Sequence, residues 1–301
     1  MKTALRLLAL VLALPLILAC ALHIANSGSG ALPPRAEGAL RVATHNVHYI
    51  RARHETGRWS VGDWQGRAPS LDAAFKAMEA DLVAFQEMET FSGGNSDDVN
   101  LARSYLLDRN PGYAAAAIGD WRDFPSTQPI FYRTDRLSLR DQGWFFFSET
   151  PERIYARSFD GSYPAFASWA EFATTSGRAF RVLNVHFDAA SGDNRLKSAE
   201  LVVRRLAAWP SDIPVLLLGD LNARAGAPTL DILEEAGFDF APTEGATYHF
   251  DRGVNLFGAI DHIASGAGLT RVGGPVVLRR RFAGDWPSDH YPVIADYRLG
   301  D

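Results

Sequence analysis

Only one cysteine, Cys20, occurs among the 301 residues, so no intrachain disulfide can form. Positive charge is also in short supply. The formal net charge is −5, and Lys2 and Arg6 are the only charged residues of the first 30, so the remainder carries −7 (−5 − 2). Sequence-independent affinity for nucleic acid comes from Lys and Arg neutralising phosphates, so this balance makes the domain a poor generic nucleic-acid binder outside local basic patches. The Gly-rich loop that opens a dinucleotide-binding unit is missing. Beyond residue 38 there is no internal repeat or low-complexity tract, and no later run is as continuously apolar as the one at the start. With 47% hydrophobic and 22% charged residues the chain is of ordinary globular composition and can bury a sizeable core.

Lys2 and Arg6 precede an uncharged run over residues 7–22, which has the form of an export leader. Three fates stay open for residues 1–25. They are a signal peptide cleaved after Ala21, with small Ala19 and Ala21 at the cut, a lipoprotein leader processed at Cys20, or a retained membrane anchor. Residues 26–38 are rich in Gly, Ser and Pro and read as a flexible linker, which leaves 39–301 as the folded domain. The expected location is outside the cytoplasm: periplasmic, membrane-anchored or secreted.

Within the domain, apolar strands repeatedly run into polar side chains. The stretch Val215-Leu-Leu-Leu-Gly-Asp-Leu-Asn222 has the length of a buried strand, and Asp220 and Asn222 lie two apart, on the same side of an extended chain. A carboxylate paired with an amide suits work on a phosphate, the first handling a water and the second a phosphoryl oxygen. Leu40-Arg-Val-Ala-Thr-His-Asn46, Asp81-Leu-Val-Ala-Phe-Gln-Glu87 and Phe180-Arg-Val-Leu-Asn-Val-His186 end in the same manner, and Asp261 and Asp289 follow in shorter segments. Each polar end has an ordinary explanation as turn former or solvated acid; their recurrence at successive strand ends does not. Residues 51–67 read as a loop, and Leu71, Phe75 and Met78 as one face of a helix opened by Ser70. Further helices are expected over 98–109, 195–208 and 229–236. The aromatic triplet Phe145 to Phe147 reads as core. Short strands fill 113–172, more than helices could cover in a single layer, which suggests two packed sheets.

The series Thr-His-Asn46, Gln-Glu87, Asn-Val-His186, Gly-Asp220-Leu-Asn222, Ile-Asp261-His-Ile and Ser-Asp289-His290 resembles the endonuclease/exonuclease/phosphatase superfamily from about Leu40 to Tyr297. The stretch from Phe131-Tyr-Arg to Ser148-Glu-Thr-Pro151, with Ser168-Trp-Ala, looks like the bacterial branch related to nocturnin-like and sphingomyelinase-like members. The resemblance implies a four-layered α/β sandwich, two mixed β-sheets packed face to face with helices outside. It also implies phosphoester hydrolysis with a divalent cation, magnesium or in its place manganese, a hard ion that prefers oxygen ligands. By the same resemblance Glu87 is the principal metal ligand, supported by Asn46 and Asp289. His290, oriented by Asp261, acts with Asp220 on the attacking water, Asn222 holds a phosphoryl oxygen, and His186 donates to the phosphoryl group or leaving oxygen. Substrate-side contacts are expected from His249, in a loop similar to one of that branch, and from Arg67, with Arg133 as a further cation. Two departures stand out. His48 occupies a place where some family nucleases carry a carboxylate, and Pro164-Ala-Phe166 lacks an arginine that related bacterial sequences show.

The resulting expectation is an exported or membrane-attached, metal-dependent phosphodiesterase acting on nucleic acid, nucleotide or lipid head group, with no obligate protein partner. The alternatives are a phosphomonoesterase of a nucleotide or inositol phosphate and a noncatalytic envelope-tethered binding protein.

Overall fold

In both large sheets a single parallel pair of strands sits at the centre, flanked on each side by antiparallel partners. The computed structural model describes residues 2–28, 30–91 and 99–300, and side chains from residue 13 onward. Met1 and the side chains of the expected leader up to residue 12, Ser29 of the expected linker and Asp98 of an expected helix therefore lie outside the described part. The first sheet has the order β13 (Leu269–Val277), β14 (Val293–Leu299), β1 (Leu40–Asn46), β3 (Leu82–Gln86), β6 (Ile130–Arg133), β5 (Tyr113–Ala116). Its parallel pair is β1 with β3, joined by helix α2 (Val61–Met78). The second runs β11 (Asp239–Phe240), β12 (Asp261–Ser265), β10 (Val215–Asp220), β9 (Ala179–His186), β8 (Phe166–Thr174), β7 (Leu137–Phe146). Here β9 and β10 are parallel, joined by α4 (Gly192–Leu206). Parallel neighbours need such a crossover, and it brings both strand exits to the same edge.

Period-two alternation sorts each strand between two cores. Leu216 and Leu218 of β10 join Val42, Leu82 and Val182 in the core between the sheets. Leu217 faces outward with Leu183 and Val185, under Ala199 and Val202 of α4 and Leu230 and Leu233 of α5 (Pro228–Glu235). On the other side Ala43, Val83 and Phe85 pack under Leu71, Phe75 and Met78 of α2 and Leu106 of α3 (Leu101–Arg109). Helices, sheet, sheet, helices make the four layers that the family resemblance implies. Phe145, Phe146 and Phe147 are all buried, as core. The short strands β2 (Ile50–Arg51) and β4 (Thr90–Phe91) pair apart from the sheets, at the rim.

Helix α2 starts nine residues before Ser70. Ser60 caps it, its Oγ accepting from the Asp63 N–H at 3.1 Å, and Trp64, Ala68, Leu71, Phe75 and Met78 form its buried face. Pro69 inside the helix and the buried cation Arg67 interrupt the apolar pattern, which is why residues 61–67 read as loop. Ser70 instead donates to the carbonyls of Phe282 or Asp285, at 2.6 and 2.7 Å.

Helix α1 (Lys2–Ala25) precedes the domain, and among the described residues no helix is long and apolar enough to cross a membrane. Several described residues ahead of the first strand hydrogen-bond to the domain. Asn255 donates through its backbone N–H to His23 Nδ1 (3.1 Å) and through Nδ2 to Ser27 Oγ (2.9 Å). The Ala246 N–H reaches the Asn26 carbonyl at 3.0 Å, Arg279 donates to the Gly28 carbonyl, and Arg35 pairs with Asp81 at 2.6 Å.

Arg41, fully buried on β1, is held by Asp296 across the strand pair, Nε to Oδ1 at 2.7 Å and Nη2 to Oδ2 at 2.9 Å. The Asp296 hydrogen bonds raise its pKa against the opposing effect of burial. Asp296→Ala leaves a guanidinium in the interior without its fork partner, so unfolding in urea should show a loss of about 3–5 kcal/mol. A loss under about 1 kcal/mol would mean that Glu79, 3.6 Å away, or water takes over the pairing.

Candidate active site

The two parallel pairs open their exits at one rim, and register does the rest. Asn46 lies opposite Gln86, and Asp220 is flanked by His186 on β9 and Asp261 on β12. Asn46, His186 and Asp220 lie two or four residues beyond Val42, Val182 and Leu218, so all three continue the inter-sheet face beyond the apolar core. Immediately beneath, Gln86 Nε2 donates to Asn184 Oδ1 at 2.7 Å and Asn184 Nδ2 to the Phe85 carbonyl at 2.8 Å, a polar bridge between the sheets.

Asn46 Nδ2 donates to Glu87 Oε1 (3.0 Å) and Asp220 Oδ2 (3.1 Å), while its Oδ1 accepts the His48 N–H at 3.1 Å. One amide thus braces two carboxylates from opposite sheets. His186 Nε2 stands 3.8 Å from both acids. His290 Nδ1 donates to Asp261 Oδ2 at 2.9 Å and turns Nε2 toward Asp220 Oδ2, 3.7 Å away. The Thr247 Oγ1 accepts the Asp261 N–H at 3.1 Å, and Ser288 Oγ receives the His290 N–H at 3.2 Å, so side-chain hydroxyls fix the backbone of both members of the pair.

Burial and neighbouring charge set these groups apart. Burial, together with the charge of Asp261, pushes Asp220 up to about 6 against the pull of His290 and His186. His290 pays for its burial, but Asp261 and Asp220 outweigh that and hold it well above the usual histidine range. Burial also acts upward on Asp261, where the His290 charge and hydrogen bond prevail and lower it. The same contest at Glu87 is won by His186, His48 and the Asn46 donor, leaving an ionised carboxylate. An imidazolium between two acids, one of them poised near neutrality, is the arrangement proton transfer to or from water requires.

A cation fits this donor set. Glu87 Oε2 is buried without a hydrogen-bond partner, an acceptor left for something other than protein, and His48 feels the negative charge of both Glu87 and Asp289. Asn46 Oδ1 keeps a second lone pair for such a contact. Asp220, Asp261 and His290 also present atoms within 4.8 Å of one another, but the 2.9 Å Asp261–His290 bond already commits the imidazole Nδ1.

Asn222, in the left-handed region at φ +47°, donates its backbone N–H to Asp220 Oδ1 and one amide hydrogen to the Phe187 carbonyl, both at 2.9 Å. Two expected substrate contacts are placed elsewhere by the structure. Arg67 is 4% exposed and spends its guanidinium on the carbonyls of Val47, Pro287 and His48, stapling loops below the rim. His249 is fully buried, stacked on Tyr291 at 4.0 Å, and burial depresses its pKa to about 3, so it is a neutral structural ring. Its neighbour Tyr248 is the one at the site, 5.0 Å from the His290 ring. Arg133 pairs with Asp135 on the surface. His48 stacks on Trp59, centroids 3.6 Å apart, with Nδ1 4.0 Å from Glu87 Oε2.

Tyr163 was not singled out by sequence. Its hydroxyl donates to the Phe187 carbonyl and lies 3.2 Å from His186 Nε2, an acceptor for the imidazole N–H. Its only signal is the aromatic residue in the Ser162–Pro164 turn before β8. Beside Glu87 and His186 opens a cavity of about 320 Å³, with Tyr163 and the Pro164-Ala-Phe166 segment among its walls.

The chain belongs to the endonuclease/exonuclease/phosphatase family, whose model matches residues 43–290, and its fold is that of a hydrolase acting on phosphoesters. Among solved structures it is similar to a family member from Bacteroides thetaiotaomicron, at 25% identity and a TM-score of 0.69, covering 87% of this chain and 98% of that one. It is also similar to the mannosyl-6-phosphatase of the same organism (24%, TM-score 0.69, 86% and 100%) and to the human Nocturnin catalytic domain with bound sulfate (17%, 0.62, 88% and 96%). No curated protein matches the sequence.

Proposed function

We propose that the protein is a divalent-metal-dependent phosphodiesterase working outside the cytoplasm, with residues 1–25 as its leader or anchor. The observation that carries the chemistry is the Asp261–His290 pair, 2.9 Å apart, aimed at Asp220 and separated only by Asn46 from the unpartnered Glu87 oxygen. Asp220 and His290, acting together, orient a water and take its proton. The Asn222 amide donates to a phosphoryl oxygen, and the His186 Nε2 N–H does the same by exchanging its Tyr163 hydroxyl partner for the substrate. Glu87 and Asp289, with Asn46, would hold magnesium, which when bound supplies positive charge against the phosphoryl group. A diester is favoured over a dianionic monoester because Arg67 is consumed by backbone carbonyls and the His290 imidazolium is already paired with Asp261.

The test is hydrolysis of bis-p-nitrophenyl phosphate, DNA, RNA, sphingomyelin and inositol phosphates, with magnesium or manganese and with EDTA. EDTA should reduce turnover by about a thousandfold or more, and Glu87→Gln should raise the magnesium needed for half-maximal rate at least about tenfold. Full turnover in EDTA would remove the metal from the proposal, and silence on every diester from folded protein would remove the activity.

A further inference from the structure

The cavity beside the site is built mostly of rings. Tyr49, Phe91, Tyr163, Pro164 and Phe166 supply its apolar wall, and Glu89, Thr127 and Gln128 its polar atoms. Tyr49 and Phe91 meet edge to face at 6.2 Å, and Phe91 is 46% exposed, an aromatic surface turned to the opening. Among the described residues that line it there is no Arg and no Lys, and Glu87 and Glu89 are both acids. At about 320 Å³ it is near the small end of ligand cavities, room for one ring system adjoining a phosphate.

We infer that the group attached to the scissile phosphate places one uncharged ring in this cavity, a sugar or the base of a nucleoside, and that a second phosphate on that group is rejected. This rests on the phosphodiesterase reading above. Flat apolar faces pack on Tyr49 and Phe91, and ring hydroxyls or N–H groups meet the polar side chains of Thr127 and Gln128. A second phosphate would find no arginine fork or ammonium among the described residues that line the cavity.

Four p-nitrophenyl phosphodiesters with a common leaving group test this: the ethyl ester, the thymidine 5′-ester, the same thymidine ester carrying a 3′-phosphate, and a hexose 6-ester. At least one of the thymidine and hexose esters should exceed the ethyl ester in kcat/KM by about tenfold or more, and the better one names the ring. Adding the 3′-phosphate should lower kcat/KM by about a hundredfold at low salt, and Pro164→Arg, which places a cation on the wall, should shrink that gap at least about tenfold. An ethyl ester as good as both ring esters, a bisphosphate within about threefold of its parent, or a gap unmoved by Pro164→Arg would overturn the inference. Bis-p-nitrophenyl phosphate separates the two levels. Its turnover alongside any of those results defeats the cavity reading alone, whereas its resistance in folded protein defeats the phosphodiesterase reading itself.

Discussion

His290→Ala should lower kcat on the best diester by about three to four orders of magnitude, and Asp220→Ala by a similar factor. The reason is the 3.7 Å approach of His290 Nε2 to Asp220 Oδ2, with Nδ1 tied to Asp261. Either side chain alone lacks what the other supplies: the aspartate loses the cation that shares its proton, or the imidazole loses the carboxylate it faces. Groups that act as one unit are not additive, so the double variant should be slower than either single by less than about tenfold. Near-ultraviolet circular dichroism must show that packing survives, since His290 is buried and its removal strands Asp261. A folded single variant within about tenfold of the parent rate, or a double variant that loses the product of both factors, would break the unit apart.

Gly219→Ala should destabilise the protein by about 3–5 kcal/mol and silence whatever remains folded. Gly219 sits at φ +151°, in register with Val185 in the central parallel pair, and a Cβ there would lie 1.9 Å from the Val185 carbonyl oxygen. Backbone cannot yield as a flexible side chain would, so β9 and β10 must part just where they present His186 and Asp220. The glycine therefore does more than mark a turn: its missing side chain lets β9 and β10 close. Urea unfolding measures the effect, and a midpoint equal to the parent's would show that the strands accommodate the methyl group.

Fold and site were not equally legible. Strand β1 has the bounds its alternation announces, and β10 ends at Asp220, because a buried strand is an uninterrupted apolar run and a polar residue at its exit is conspicuous. The rim residues Asn46, His186, Asp220, Asp261 and His290 come together for that reason. Arg67 and His249 went astray because a sequence shows that a cation or an imidazole exists, not which carbonyls consume its hydrogens or what stacks on its ring. Tyr163 escaped notice because an aromatic residue in a middle region crowded with aromatics carries no positional signal. The onset of α2 was hidden by Pro69 and Arg67, whose places inside a helix only tertiary packing explains.

The segment before β1 changes where this protein can be cut. His23, Asn26 and Ser27 bond to Asn255 and Ala246, on the two sides of the turn whose Thr247 fixes Asp261 and whose Tyr248 covers His290. A recombinant chain begun at the first strand would be missing these braces and would leave Asp81 without Arg35. Processing at Cys20 or Ala21, by contrast, would spare every one of them. The useful left-hand boundary of the folded protein thus lies ahead of His23 and not at the start of its sheet, and a truncation chosen from strand patterns alone would trim away braces of the candidate site.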